Sequence, residues 1–328
     1  MNPFQYTRSS AAAGAIQSLV MEQRAHLLAG GTNLIDLMKM GVVVPERLVD
    51  ISTLPLGSVE RTAKGSLRIG ALATNSEVAD HPLVLQYYPL LSMAINAGAS
   101  PQLRNMATVG GNMMQRTRCN YFFDTTMPCN KRMPGSGCGA LEGFNRMHAL
   151  FGASNHCIAV NPSDMNVAMA ALEAVVHVKG PKGERMIPFG EFHRLPGDHP
   201  EKDNTLQRTE MITAVDLPAS AMVFKRHVHY LKVRDRSSYA FALVSVAAAL
   251  DMDGTTIRQA RLAMGGVAHK PWRLHGAEAF LKGKAVSETS FRQAAEIAMK
   301  DAKAYQYNKF KLTLAPNAIL QALQTASA

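Results

Sequence analysis

Apolar side chains recur along this chain with two different periods, and the alternation between them predicts its elements. Residues 11–21 carry apolar positions at helical spacing, and the run AHLLA at 25–29 reads as a short buried strand. The tetrapeptide GGTN interrupts, after which LIDLMKM resumes with helical period. RLVDI at 47–51 and LRIGAL at 67–72 predict strands, Thr74 is placed to cap the turn NSEVAD, and the apolar stretch 83–97 predicts one helix. A strand pair is expected at 174–179 and 184–188 around GPKG, and a further strand at 210–217, with LPGDHPEKDN between them as a surface loop.

The character changes near Ala221. Residues 222–233 and 240–252 are strand-like, and the second run reaches Asp253-Gly254, a hairpin signal, before TTIRQARLAMGGV returns. Helical patterns follow at 271–282, 287–302 and 309–323. Strands then helices make a separate α+β unit, and no fixed-period repeat, low-complexity tract or coiled coil is present. A chain of 328 residues, 47% hydrophobic, is long enough for two or three domains with ordinary cores.

One stretch has neither period. Between Gly111 and Cys157 the chain shows little regular pattern, and loops of that length are uncommon unless functional or disordered. All four cysteines lie there: Cys119, Cys129, Cys138 and Cys157. Such crowding suggests one bound object that uses them together. Nine, eight and eighteen residues separate successive cysteines, without the close pair usual in structural zinc sites. Iron–sulfur clusters also take four thiolates but often at short spacings, so spacing does not select them. Disulfides and unrelated buried thiols stay open as readings. Arg116, Arg118, Lys131 and Arg132 flank the cysteines and would either balance an anionic cluster or solvate a surface loop.

Glycine turns frame this region. After the strand at 25–29, Gly30, Gly31, Thr32 and Asn33 lead into a helix, an arrangement in which free N–H groups can face an anion and a plain tight turn is the simpler alternative. Thr108, Val109, Gly110, Gly111 and Asn112 repeat that chemistry, so two turns could grip a diphosphate from two sides. The sequence Asn161-Pro-Ser-Asp164 signals a helix start, with Asp164 most simply its cap and alternatively a holder of a ligand hydroxyl or ring nitrogen.

The net charge of +10 is scattered rather than blocked, which favours an acidic partner surface or anionic ligand over nucleic acid. The N-terminus lacks the basic start, apolar core and cleavage site of a secretory signal, and no apolar run reaches membrane-spanning length. By itself the chain reads as cytosolic, a compartment where clustered cysteines more often bind metal than form disulfides.

LLAGGTNLIDLMK, ATVGGN, NPSD and YLKVRDRSSYAFALVSVAAAL occur in one order over almost the whole chain. Together they resemble the FAD-binding subunits of the molybdenum hydroxylases, the xanthine dehydrogenase and aldehyde oxidase group. The cysteine-bearing insertion is most similar to the flavin subunit of bacterial three-subunit periplasmic aldehyde oxidoreductases, where this loop binds a 4Fe-4S cluster; the flavin subunit of 4-hydroxybenzoyl-CoA reductase carries one too. The resemblance implies an α+β fold: a two-subdomain FAD domain of the vanillyl-alcohol oxidase type at 1–220, with subdomains about 1–55 and 56–220 and an iron–sulfur insertion at about 113–160, then a smaller α+β domain at 221–328.

Carried over by position, Leu27, Leu28, Ala29, Gly30, Gly31, Thr32, Asn33 and Leu34 would wrap the FAD diphosphate, and Thr108, Gly111 and Asn112 would form a second wall. Asp164 would bind on the ribityl or flavin side, Ile212 would pack near the cofactor, and Lys232 would lie near the isoalloxazine ring or merely pair with a carboxylate. Cys119, Cys129, Cys138 and Cys157 would hold the 4Fe-4S cluster. The implied function is electron transfer in a heterotrimer with a large molybdenum-cofactor subunit, which would oxidise an aldehyde, and a small 2Fe-2S subunit. Electrons would leave to dioxygen or another acceptor. Cofactors carry such chemistry, so no catalytic residue is nominated on this chain. The resemblance also implies assembly in the cytoplasm and a periplasmic location reached by co-export on a partner's signal. A flavin subunit for a different molybdenum hydroxylase or a hydroxybenzoyl-CoA reductase-like enzyme, and a zinc-stapled scaffold without enzymatic activity, are the alternatives; a stand-alone flavin reductase would need a nicotinamide fingerprint that is absent.

Overall fold

Short apolar strands separated by one-faced helices suit parallel pairing, and the N-terminal residues of the computed structural model, which describes residues 1–328, are built this way. Strand β1 (Gln5–Arg8) leads through α1 (Ala12–Met21) to β2 (Ala25–Leu28), then through α2 (Leu34–Lys39) to β3 (Arg47–Asp50). β3 lies in the middle and pairs parallel with both others. α1 buries Ala15, Ile16 and Leu19 on one face, against Ala25 and Val49 of the sheet.

The next region forms a five-stranded sheet in the order β4-β5-β8-β6-β7, antiparallel throughout. In chain order it contains β4 (Val59–Arg61), β5 (Leu67–Gly70), α3 (Asn75–Asp80), α4 (Pro82–Tyr87), α5 (Pro89–Ala97), α6 (Pro101–Arg104), α7 (Val109–Met113), α8 (Asn120–Phe123) and α9 (Asp164–Ala171). β6 (Val175–Gly180), β7 (Gly183–Pro188), α10 (Phe189–Phe192) and β8 (Met211–Leu217) complete it. Thr74 caps α3 in a full capping box with Glu77. The helix expected over 83–97 is two: Pro89 has no N–H to donate and forces Tyr88 to φ −137°, ψ 50°, so α4 ends and α5 starts with Pro89 at its first position.

The C-terminal region is a sheet in the order β12-β11-β10-β9 with three helices against it. Its elements are β9 (His227–Val233), β10 (Val244–Asp253), β11 (Thr256–Gly265), β12 (Trp272–Arg273), α11 (His275–Leu281), α12 (Glu288–Met299) and α13 (Lys311–Ser327). Both strands expected from Met222 and Ala240 begin later, because a 3₁₀ segment occupies Ala219–Phe224 and an irregular lip precedes Val244. The Asp253-Gly254 turn joins β10 and β11 as expected, with Gly254 at φ +55°. In β10, Val244, Val246, Ala248 and Leu250 face the core under α11 to α13, while Ala247 and Ala249 face the core that continues into α5 and α9. Burial on both faces explains why this strand is a continuous apolar run, and the alanines let α5 and α9 come close.

Candidate cofactor site

All three regions meet at one open cavity of about 610 Å³. Thr32 and Asn33 enter it from the turn after β2, Gly111 and Asn112 from α7, Asp164 from the start of α9, and Lys232 from β9. Six of the expected FAD contacts are thus gathered by elements far apart in sequence. The remaining eight are not on its wall. Leu27 and Leu28 belong to β2, Ala29 and Leu34 flank the turn, and Ile212 is 7% exposed within the core of β8. Thr108 caps α7, its Oγ1 accepting from Gly111 N at 3.2 Å.

The first glycine turn has a second job. A Cβ on Gly30 would stand 1.8 Å from the carbonyl oxygen of Met106, so only glycine allows this turn to rest against the chain entering α7. Gly31 takes φ +72°, a conformation that side chains oppose. Asn33 Oδ1 accepts from the backbone of Arg116 at 3.1 Å, which joins the two turns from the other end. Its Nδ2 is buried without a partner.

Asp164 is not the cap of α9. Ser163 is, accepting from Asn166 N at 3.1 Å, while its own hydroxyl donates to Asn112 Oδ1 at 2.6 Å. Asp164 is released for the cavity wall, where Tyr230 donates to Oδ1 at 2.8 Å and Lys232 Nζ to Oδ2 at 2.7 Å. Lys232 also donates to the Ala97 carbonyl at 2.9 Å, and Ser245 Oγ lies 3.0 Å from the Tyr230 hydroxyl. Burial pushes the Asp164 carboxyl up from the usual carboxylate range, against the pull of Lys232.

Beside this cavity, all four cysteines line a second, much smaller pocket. They are free thiols, so no disulfide joins them. Cys129 and Cys138 face each other across an antiparallel bridge, and Cys157 closes a tight turn with Ser154. Burial pushes the thiols up, Cys119 to about 12 and Cys157 to about 11, with Cys138 shifted the same way. No three His, Cys, Asp or Glu side chains converge closely enough to grip one metal ion. The donor set fits an iron–sulfur cluster, whose thiolates sit on separate irons around a body rather than around a point.

Of the flanking cations, Lys131 lines the thiol pocket and its charge pulls against the upward shift of Cys157, yet all four are engaged by other partners rather than left to solvate a loop. Arg116 Nε meets Asp203 at 2.6 Å, and Lys131 donates to the same carboxylate and to the Pro200 carbonyl at 2.7 Å. Arg118 pairs with Asp36, and Arg132 donates to the carbonyls of Tyr121 and Phe122 at 2.9 and 2.8 Å. Two cations hold the half-buried Asp203 well below the usual carboxylate range, against its desolvation. Thr117 and Cys119 belong to both pockets, so the cavities share a wall.

Residues 2–220 match the family described as the FAD binding domain in molybdopterin dehydrogenase, and residues 229–326 match the CO dehydrogenase flavoprotein C-terminal domain. The chain belongs to this FAD-binding molybdopterin dehydrogenase family. It is 48% identical over 331 residues to the aldehyde oxidoreductase FAD-binding subunit PaoB of Escherichia coli (strain K12), covering 100% of this chain and 99% of that one. The glyceraldehyde dehydrogenase medium chain of Sulfolobus acidocaldarius is 25% identical over 87% of this chain and 83% of its own. Among solved structures, the carbon monoxide dehydrogenase of Hydrogenophaga pseudoflava superposes with a TM-score of 0.76 at 25% identity, over 99% of this chain and 98% of that one. Quinoline 2-oxidoreductase from Pseudomonas putida 86 shares the fold, with a TM-score of 0.77 at 24% identity over 99% and 97% of the two chains.

Membership in this FAD-binding family accounts for the wide cavity, and the orphaned Asn33 amide supplies a buried donor for an acceptor on the cofactor. Sequence reasoning missed Tyr230, Ser163, Asp203 and His148. The first two carried a signal, since Ser163 sits where a helix cap belongs and Tyr230 lies two residues from Lys232 on one strand face. Nothing local announced Asp203 or His148. No helix is long and apolar enough to cross a membrane.

Proposed function

We propose that this chain is the FAD and 4Fe-4S electron-transfer subunit of a molybdenum-dependent aldehyde oxidoreductase. It would work in a heterotrimer with a large molybdenum-cofactor subunit and a small 2Fe-2S subunit, exported to the periplasm with a partner. One observation carries the reading: full-length similarity, at 48% identity, to an aldehyde oxidoreductase FAD-binding subunit in a chain whose four free thiols line one pocket beside the wide cavity. The cofactor domain is assigned to 1–220 and the C-terminal domain to 221–328.

When bound, FAD supplies a junction between one-electron and two-electron chemistry. The chain's own residues bind and orient it. Gly30 and Gly31 shape the turn that carries Thr32 and Asn33 to the cavity, and Thr32, Asn33, Gly111 and Asn112 offer polar groups from two sides. Ser163 fixes Asn112, Arg116 fixes Asn33, and the Asp164–Lys232 pair sets the polarity of the inner wall. Burial pushes Cys119 and Cys157 up, so loading these thiols with iron must release protons and is favoured by rising pH.

The test is cofactor analysis of the complex purified without oxygen from cells making all partners. About one FAD per chain, with about four irons and four sulfides beyond the partner's clusters, is expected. A colourless chain holding zinc overturns the proposal.

A further inference from the structure

We propose that His148 is a positioning residue for the cysteine-held cluster, donating its Nε2–H to the Cys119 thiolate and so raising the cluster's midpoint potential. The inference rests on the iron–sulfur reading above. His148 Nε2 lies 3.2 Å from Cys119 Sγ, and no other side chain is hydrogen-bonded to a cysteine sulfur in this protein. The ring is 5% exposed and clamped. Its backbone carbonyl accepts from Lys311 Nζ at 3.0 Å and Asn308 Nδ2 at 3.1 Å, and its backbone N–H donates to Asn145 O at 3.1 Å.

Nδ1 is buried and makes no close hydrogen bond; the Asn145 backbone is an acceptor near the ring, and a neutral carbonyl competes weakly with a charged sulfur for its proton. A thiolate at Cys119 therefore selects the tautomer that carries its proton on Nε2. Reduction adds negative charge to the cluster, and an N–H donor on a ligand sulfur stabilises the more negative state. Cys119 and His148 also line the wide cavity, which makes this sulfur the one that FAD and cluster approach in common.

The experiment compares the wild-type heterotrimer with His148→Phe and His148→Gln, titrating the extra cluster by electron paramagnetic resonance at controlled potential. Phe fills the space without a donor and is expected to shift the midpoint downward; Gln keeps a donor and is expected to recover much of the shift. An unchanged midpoint in an iron-replete Phe variant overturns the proposal, as does a Gln variant that falls as far as Phe. Should Phe strip the iron, wild-type complex labelled with ¹⁵N-histidine decides. A histidine nitrogen coupling on the reduced cluster supports the bond, and its absence overturns it. A wild-type complex with no iron beyond the partner's clusters fails the underlying reading itself, and this inference with it.

Discussion

Asp164 and Lys232 stand 2.7 Å apart in the cavity wall with side chains only 7% and 5% exposed. Removing one partner of a buried pair strands the other, at a cost of about 3–5 kcal/mol. Lys232→Met is expected to destabilise the chain by roughly 3 kcal/mol at neutral pH and to lose FAD. Asp164 in that variant can escape by taking a proton, since burial already pushes its carboxyl up. The stability gap to wild type should therefore narrow as pH falls from about 7 to 5, and the double variant Asp164→Asn, Lys232→Met should regain stability without regaining FAD. Urea unfolding at the two pH values, with flavin content alongside, checks both statements.

Lys311 has no carboxylate partner; its ammonium donates to the carbonyls of His148 and Gly266 at 3.0 and 2.8 Å. Burial brings it down to about 7. Between that value and about 10.4, where an unfolded lysine titrates, the unfolded chain holds a proton that the folded chain has released. Stability should thus rise with pH across this window, by at most about 1.4 kcal/mol per pH unit. In Lys311→Met that contribution should vanish. Equal slopes for the two proteins between about pH 7 and 9 would refute the assignment.

Gly30→Ala places a methyl 1.8 Å from the Met106 carbonyl oxygen. Backbone must shift, and a cost of about 3 kcal/mol or more is expected. Because the shift separates the two turns at the cavity mouth, FAD occupancy should fall further than stability alone dictates. Gly190→Ala, where the added carbon meets nothing within 4 Å, is the control. Flavin absorbance per chain after gel filtration reads the difference.

Asp203→Asn removes the charge facing Arg116 and Lys131 and should cost about 3 kcal/mol at neutral pH. A carboxyl depressed in the folded state contributes stability that is fully present above its unfolded value, about 3.9, and is lost as pH falls below it. The difference between wild type and Asp203→Asn should shrink accordingly between about pH 5 and 2, as followed by thermal melts. A constant difference would mean that the carboxylate is not the source.

Local pattern made most elements legible. The hairpin at Asp253-Gly254, the capping box at Thr74 and the glycine turns all depend on neighbours within a few residues, so their signals are written side by side. The break at Tyr88 was also local, in Pro89, but the apolar run around it masked the proline. Asp164 was harder, because a helix start offers two candidate caps and only the tertiary contacts with Tyr230 and Lys232 decide which is free. The partners of the cysteine-loop cations were not legible at all. Lys131 meets Asp203 across 72 residues, and no periodicity links the two.

That last contact makes the cysteine loop a portable part with a hidden accessory. Arg116 and Lys131 belong to the loop, whereas the carboxylate that receives both lies far outside it, between α10 and β8. A loop excised from this subunit leaves Asp203 without its two cations, and a loop grafted onto a sister subunit brings two cations with nowhere to dock. Engineering in either direction has to move residue 203 together with the loop.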